Sequence, residues 1–325
     1  MAAWFDNWPE VAPEAQPQPQ DYAYNLDRAT ASIVGLSARV PPDAFTAGPL
    51  GVERTGNGVV IGENLVLTIG YLIMEADQVE LATLDDRIVP GHVLGADHST
   101  GFGLIQALEP LGAPALPIGR SSRVNVGDKV VVAGAGGRTR SVAARVAAKE
   151  EFAGYWEYVL DEAIFTRPAH PHWSGAGLIG PTGELIGIGS LHVQQQGPGG
   201  RFIPLNMSVP IDLLDKVYEG LLTGKANRPA RPWLGVIAHE VDGAVMIVGF
   251  AGEGPAKRAG LAEGDVVVAV GGVPVSSLAE FYRGVWSLGP AGVEVPLTLD
   301  REGDLFDVAI NSADRGRYLK GRKLH

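Results

Sequence analysis

Residues 172–188 read HWSGAGLIGPTGELIGI, in which a serine stands in a glycine-rich turn ahead of two short apolar runs. The triplet Pro-Thr-Gly at 181–183 separates the two runs and is a turn signal. Short apolar or β-branched runs bounded by turn residues are typical of β-strands. This stretch therefore predicts short strands joined by tight turns, and the chain around it repeats the pattern.

Most of the chain upstream of residue 209 continues the same strand-and-turn pattern. Seven strand-like runs are bounded by signals such as GN, GEN, DD and GD: Ala31–Leu36, Gly58–Ile61, Leu65–Thr68, Val79–Ala82, His92–Leu94, Leu104–Ala107 and Lys129–Val132. Many short strands at close spacing predict a sandwich or a barrel. The period then changes over Pro210–Leu222, whose apolar residues fall on one helical face.

A second module follows the Pro-rich segment Asn227–Pro232, which we interpret as a linker. Its strand-like runs are Ala244–Val248, Asp265–Val270 and Val295–Leu299. A helix is predicted over Leu278–Leu288, because Ser277 and Glu280 have capping-box spacing ahead of an apolar stripe. The length of 325 residues agrees with about two domains.

Composition excludes several classes of site and partner. The chain has no cysteine, so it has no disulfide, no thiolate metal site and no cysteine nucleophile. Its net charge of −11 argues against a general nucleic-acid binder, whose affinity comes from neutralising phosphates. No apolar run approaches the ~18 residues of a membrane-spanning helix. No cofactor and no metal site are predicted.

Both ends of the chain are predicted to be tails. Residues 1–27 are rich in Pro and Gln, contain no Lys or Arg, and are interpreted as a disordered tail with Trp4, Phe5 and Trp8 as anchors. No secretory signal is seen there, so a cytoplasmic location is expected, with a periplasmic one as the alternative if a leader is absent from this sequence. Residues 313–325 are interpreted as a basic C-terminal tail.

Four segments together resemble the HtrA/Deg family, a trypsin-like serine protease domain followed by a PDZ domain. They are Leu67–Ile73 (LTIGYLI), Asp97–Ile105 (DHSTGFGLI), the serine loop His172–Leu178 (HWSGAGL) and the PDZ-like stretches Arg231–Val236 and Gly254–Val268. The resemblance implies a mostly β fold: two six-stranded Greek-key barrels, then an α+β PDZ domain. The implied boundaries are 28–226 for the protease-fold domain, 227–232 for the linker and 233–312 for the PDZ domain.

The resemblance also assigns the catalytic positions, and two of the three are changed. Ser174 keeps the place of the nucleophile, but Tyr71 stands where the family has the general base His and Gly101 where it has the orienting Asp. A serine hydroxyl needs a base with a pKa near 7, whereas tyrosine titrates near 10. In the oxyanion loop of His172, Trp173 and Ser174, His172 replaces the family's glycine, and the loop ahead of it is about five residues longer.

Two functions remain open at this point, beside that of a purely structural oligomerisation module. The first is an inactive HtrA-like protein, a pseudoprotease that binds protein or peptide C-termini in its PDZ groove as a scaffold, assembly or regulatory factor. The second is an active serine endopeptidase in which His170 or His172 replaces the lost base. The resemblance places the peptide groove at Leu234, Gly235 and Val236, flanked by Phe281 and Val285. It also implies a trimer, or a hetero-oligomer with an active relative.

Overall fold

A computed structural model describes Trp8, residues 11–225 and residues 228–321. Trp4, Phe5 and the first linker residue, Asn227, lie outside these described residues. The chain divides into two compact units. One unit contains residues 1–150, 162–227 and 321–325, and the other contains 151–161 and 228–320. The short segment 151–161 was expected in the protease-fold domain, but it packs with the second unit.

The first six strands close into a barrel in the order β1-β2-β3-β6-β5-β4. Alternating β-branched residues and glycines let these strands pack apolar side chains inward and turn tightly. The strands are β1 (Ile33–Arg39), β2 (Glu53–Gly62), β3 (Leu65–Ile69), β4 (Gln78–Ala82), β5 (Ile88–Ala96) and β6 (Phe102–Ala107). The predicted turn signal Gly56-Asn57 is wrong, because both residues lie inside β2.

The next six strands close into a second barrel in the order β10-β11-β12-β9-β8-β7. They are β7 (Lys129–Ala133), β8 (Ser141–Gly154), β9 (Tyr158–Arg167), β10 (Gly177–Ile179), β11 (Leu185–Gln196) and β12 (Phe202–Pro210). Residues 172–188 contain β10 and the start of β11, which pair as an antiparallel hairpin. Two closed six-stranded barrels confirm the predicted double-barrel fold.

Four short helices accompany the barrels: α1 (Leu26–Thr30), α2 (Ala47–Leu50), α3 (Gly70–Ile73) and α4 (Tyr218–Thr223). The helix predicted over Pro210–Leu222 is divided in two. A 3₁₀ segment covers Ile211–Lys216, and Val217, at φ −127°, separates it from α4. None of the described helices is long and apolar enough to cross a membrane.

The second unit is built on an antiparallel sheet in the order β13-β14-β15-β17-β18, with β13 at one edge. Its elements are β13 (Val236–Val241), β14 (Ala244–Phe250), α5 (Pro255–Arg258), β15 (Val266–Val270), β16 (Val273–Pro274), α6 (Leu278–Ser287), β17 (Glu294–Arg301) and β18 (Asp304–Asn311). The Ser277 side chain caps α6 by accepting from Glu280 N, an interaction worth about 1 kcal/mol. Glu280 accepts from Ser276 N rather than from Ser277 N, so the predicted capping box is only half formed.

Both predicted tails are ordered where the structure describes them. Residues 11–27 form two 3₁₀ turns, at Pro13–Ala15 and Pro19–Asp21, and Val11 is buried in the apolar core of the second barrel. At the other end, a 3₁₀ turn at Arg315–Tyr318 brings the Tyr318 ring to 4.7 Å from that of Trp233. The tail predictions are therefore wrong over 11–27 and 313–320, because Val11 joins an apolar core and the Tyr318 ring packs on Trp233.

Candidate active site and peptide-binding groove

The structure brings Tyr71 and Ser174 together, as their aligned positions predict. Tyr71 lies on α3, directly after β3, and its hydroxyl oxygen is 2.7 Å from Ser174 Oγ. The same phenol oxygen is 2.7 Å from the carbonyl oxygen of Ser190 on β11. Within the described part of the chain, Tyr71 is the hydrogen-bond partner of the serine hydroxyl.

Hydrogen-bond chemistry fixes the direction of this chain of groups. A carbonyl oxygen only accepts, so the Tyr71 hydroxyl donates to Ser190 O, and the Ser174 hydroxyl donates to the Tyr71 oxygen. Burial raises the pKa of the Tyr71 phenol above its ordinary value, although the bond to Ser174 works against that rise. A neutral phenol is a poor proton acceptor, so this arrangement holds the serine proton without activating the serine.

Gly101 contributes only its backbone to the place of the orienting acid. Its carbonyl oxygen accepts from Gly70 N at 2.6 Å, beside the start of α3. The nearby carboxylate in sequence, Asp97, is engaged in its own turn, where it accepts from Ser99 Oγ and from Thr100 N. The acid–base pair of the family therefore has no side-chain counterpart at these two positions.

His170 does not reach Ser174, because both of its ring nitrogens are engaged elsewhere. The ring is 1 % exposed, its Nε2 lies 2.8 Å from Arg140 O, and its Nδ1 lies 2.8 Å from His172 N. These contacts assign the neutral tautomer with the proton on Nε2, so that Nδ1 accepts from the backbone. Burial lowers the pKa of His170 to about 4. The prediction that His170 activates Ser174 is therefore wrong.

The hydrogen bond between His172 N and His170 also engages a backbone N–H group of the serine loop. By the family resemblance, the backbone N–H two residues before the serine helps to bind the oxyanion, and here that group is His172 N. It donates to His170 Nδ1 at 2.8 Å. The His172 ring stacks on Trp8 at 4.4 Å between centroids.

Asn57 on β2 holds the serine loop, a role that no sequence motif indicates. The side chain is fully buried; its Nδ2 donates to His172 O and Ser174 O, and its Oδ1 accepts from Ala135 N. Gly175 completes the turn at φ +71°, where a Cβ would lie 2.0 Å from Asn57 O. Only glycine fits this place, because both the dihedral angle and the space exclude a side chain.

A small cavity of about 120 Å³ adjoins the serine loop. Its lining residues are Trp8, Thr55, Gly56, Pro171, His172, Trp173 and Ser174. Ligand pockets commonly measure roughly 300–1,000 Å³, so this cavity is too small for a peptide side chain together with its backbone. Trp173 leans toward His192, with ring centroids 5.2 Å apart, and with Trp8 narrows the space beside Ser174.

In the second unit, the backbone of Leu234, Gly235 and Val236 forms a ring of donors, as the resemblance implies. Gly235 has φ +78°, which turns three successive N–H groups toward one point. That point is occupied by the side chain of Glu157: Oε1 lies 2.7 Å from Gly235 N and 3.2 Å from Val236 N, and Oε2 lies 3.1 Å from Leu234 N. The loop thus holds a carboxyl group of the same chain.

Phe281 and Val285 lie on the inner face of α6, where both are buried. They belong to one apolar cluster with Leu234 and Val236, as expected for residues that flank a groove. Val159, from the segment 151–161, is part of the same cluster. The sequence offered no signal for Glu157 or Val159, since neither belongs to a motif.

Two family models match this chain: a trypsin-like peptidase domain over residues 56–188 and a PDZ domain over residues 232–311. The chain belongs to the HtrA/Deg family. This HtrA/Deg chain is 29% identical over 284 residues to a probable periplasmic serine endoprotease, DegP-like, of Hahella chejuensis. The match covers 81% of this chain and 58% of that relative. The chain therefore spans little more than half the length of the DegP-like proteins it matches.

Other HtrA/Deg relatives match over more of their length. Serine endoprotease DegS of Salmonella typhimurium is 24% identical over 322 residues, which is 90% of this chain and 88% of DegS. Among solved structures, the HtrA-type protease AlgW with decapeptide has a TM-score of 0.55 at 21% identity, covering 89% of this chain and 97% of AlgW. The serine endoprotease from Yersinia pestis has a TM-score of 0.52 at 22% identity, over 90% and 98% of the two chains. Each of these two structures shares its fold with this chain.

Proposed function

We propose that this HtrA-like protein is a proteolytically inactive pseudoprotease that binds protein or peptide C-termini through its PDZ groove, as a scaffold, assembly or regulatory factor. The observation that carries the proposal is the 2.7 Å hydrogen bond between Tyr71 and Ser174. A neutral phenol in contact with the serine supports the proposal, because a serine protease needs an imidazole base there.

Three chemical requirements of the protease reaction are unmet in this arrangement. Tyr71 does not accept the serine proton, Gly101 supplies no carboxylate, and His172 N donates to His170. Removal of the catalytic triad alone costs about 10⁶-fold in kcat, and what activity remains comes from the oxyanion hole and substrate binding. Because the oxyanion position is also engaged here, we expect no measurable turnover. The curated relatives are named endoproteases, so the proposal is that this chain differs from them in activity.

Peptide binding is supported by the PDZ match and by the donor ring at Leu234–Val236. PDZ domains add a ligand strand to a sheet edge and hold its terminal carboxylate with backbone N–H groups. Here β13 offers a sheet edge and the loop ahead of it holds a carboxyl group. AlgW, a structural neighbour, was solved with a decapeptide.

We also propose a compartment and an oligomeric state for the protein. The DegP-like relatives are named periplasmic proteins, and their names favour the periplasmic alternative over the cytoplasmic prediction. We propose a trimer, or a hetero-oligomer with an active relative, as the family resemblance implies. Sedimentation of the full chain, alone and mixed with an active relative, distinguishes these assemblies.

Fluorophosphonate labelling of the full chain tests the central proposal, with Ser174→Ala as its matched control. We expect no Ser174-dependent labelling and no cleavage of unfolded casein at any pH from 5 to 9. Labelling that disappears in Ser174→Ala, accompanied by casein cleavage, would refute the proposal of an inactive protease. Binding of peptides with free C-termini is measured separately, because it stands or falls independently of catalysis.

A further inference from the structure

The segment 151–161, which we call the 151–161 hairpin, joins β8 to β9 and lies against the PDZ sheet within the second unit. Its tip, Tyr155–Glu157, lies between the ends of these two strands, and Glu157 adopts φ +60°. A glutamate seldom takes this left-handed conformation without compensation from its surroundings. Here the compensation is the set of three backbone donors that Glu157 meets at Leu234, Gly235 and Val236.

We infer that the 151–161 hairpin is an internal ligand of the PDZ groove, with the Glu157 side chain in the place of a peptide's terminal carboxylate, so that external C-termini must displace it. The inference rests on the proposed peptide binding. It assigns to that site a competitor carried by the same chain.

The main chain of the hairpin also pairs with the sheet edge that a ligand strand would use. Ala238 N on β13 donates to Tyr155 O at 3.1 Å, and the Tyr155 ring lies 5.7 Å from that of His239. β13 is an edge strand, so its outward N–H groups lack a partner strand of their own sheet. A backbone bond from the hairpin to this edge is the contact that defines recognition by strand addition.

Side chains complete the likeness to a bound peptide. Val159 enters the apolar cluster that contains Phe281 and Val285, which is where the terminal apolar side chain of a peptide would pack. On the other side of the groove, Arg283 of α6 pairs with both Glu151 and Asp161, one at each base of the hairpin. The hairpin is thus held by the donor loop, the edge strand and the helix together.

The hairpin and a peptide compete because both need the same backbone N–H groups. Gly235 N and Val236 N each have one hydrogen, and a peptide carboxylate needs the donors that Glu157 already holds. The apparent affinity for a peptide is then its intrinsic affinity multiplied by the fraction of molecules whose hairpin is displaced. Loss of the Glu157 carboxyl raises that fraction.

The test uses the full chain in three variants: Glu157→Ala, the isosteric Glu157→Gln, and the matched control Glu150→Ala, whose side chain is exposed on β8. The probe is a fluorescein-labelled decapeptide pool that ends in Val, Ile, Leu or Phe with a free carboxylate, and the same pool amidated. Anisotropy gives affinity, and hydrogen exchange with mass spectrometry gives protection of the amides at 234–236.

We expect Glu157→Ala to bind the free-acid pool roughly tenfold or more tightly than the unmodified chain, and to exchange its 234–236 amides faster. Glu157→Gln should fall between the two, because its amide oxygen still accepts, and Glu150→Ala should match the unmodified chain. Unchanged protection in Glu157→Ala, or equal affinity in both proteins, overturns the inference. Faster exchange without binding of the pool by either protein refutes the proposed peptide binding and supports the docked hairpin.

Discussion

The Ser174 hydroxyl donates to the Tyr71 oxygen at 2.7 Å, and Tyr71 in turn donates to the Ser190 carbonyl. The serine proton therefore points at a group that does not take it, and the phenol proton is committed to the backbone. Tyr71 thereby ties α3 to β11. In the proposed inactive protein, this relationship accounts for a serine that is kept without a nucleophile's chemistry.

Restoring the two missing triad residues should not restore activity. In Tyr71→His with Gly101→Asp, His172 N still donates to His170 Nδ1, so the oxyanion lacks one of its donors. Loss of one such donor costs about 10²–10³-fold in kcat, and Gly101 also has φ +85°, which an aspartate resists. Casein cleavage is the measurement, with an active HtrA relative assayed in parallel. Ser174-dependent turnover in the double variant would show that the loop is competent.

Gly175→Ala should destabilise the protease-fold unit more than Gly127→Ala. Both glycines have positive φ, +71° and +95°, but a Cβ at Gly175 would lie 2.0 Å from Asn57 O, whereas nothing lies within 4 Å at Gly127. The dihedral cost is common to both, at about 1–2 kcal/mol. Overpacking at Gly175 adds roughly 1–3 kcal/mol, which urea unfolding of the two variants measures. Equal losses in the free energy of unfolding would mean that the serine loop moves away from Asn57 without destabilising the protein.

Acid should destabilise the protein through His170. Burial lowers the pKa of His170 to about 4 from 6.5, so between these values the unfolded chain binds more protons than the folded one. Stability from this group is complete above pH 6.5 and is lost as the pH falls toward 4, by on the order of 3 kcal/mol. His170→Asn, whose Oδ1 can accept from His172 N, should lose less stability between pH 7.5 and 4.5.

Urea unfolding at the two pH values measures this loss for both proteins. The exposed His92→Asn serves as the control and should keep the full dependence on pH. If His170→Asn loses as much stability in acid as the unmodified protein, another group is responsible.

A rise in pH from 4.5 to neutrality should loosen the 151–161 hairpin through Glu157. Burial raises the pKa of the Glu157 carboxyl to about 7 from 4.5, although the three backbone donors and the Arg315 guanidinium lower it. The docked hairpin therefore binds more protons than the free one between these values. Docking is strongest below pH 4.5 and weakens as the pH rises to 7. Tyr282, on α6, does not titrate in this window, because burial and the charge of Glu157 raise its pKa.

Peptide affinity should therefore rise roughly tenfold or more between pH 5 and pH 8 in the unmodified chain, and stay flat in Glu157→Gln. Anisotropy with the free-acid pool measures both proteins at each pH. A parallel rise in Glu157→Gln would assign the effect to a different group.

Local pattern predicted the six strands of the first barrel and β7 but not β8, β9 or β12, whereas the family came from the resemblance of four segments. Glycine-bounded β-branched runs mark most of the barrel strands, and Ser277 correctly starts the PDZ helix α6. Predictions failed where burial decides the outcome. The segment 11–27 has the composition of a disordered tail, yet Val11 finds apolar neighbours in the second barrel. Val217 lies on the predicted helical face but has a non-helical backbone.

The sequence by itself, through its resemblance to the HtrA/Deg family, predicted which residue types stand at the catalytic positions, because these belong to contiguous motifs whose order is read directly. It could not determine what those residues do. The bond from Tyr71 to Ser174 spans 103 positions, and that from Glu157 to Gly235 spans 78. Hydrogen bonds over such separations leave no local period or spacing in the chain. Only the tertiary structure, by closing the barrels and folding the 151–161 hairpin onto the PDZ sheet, decided that the serine is tied to a phenol and that the Leu234–Val236 donors hold Glu157.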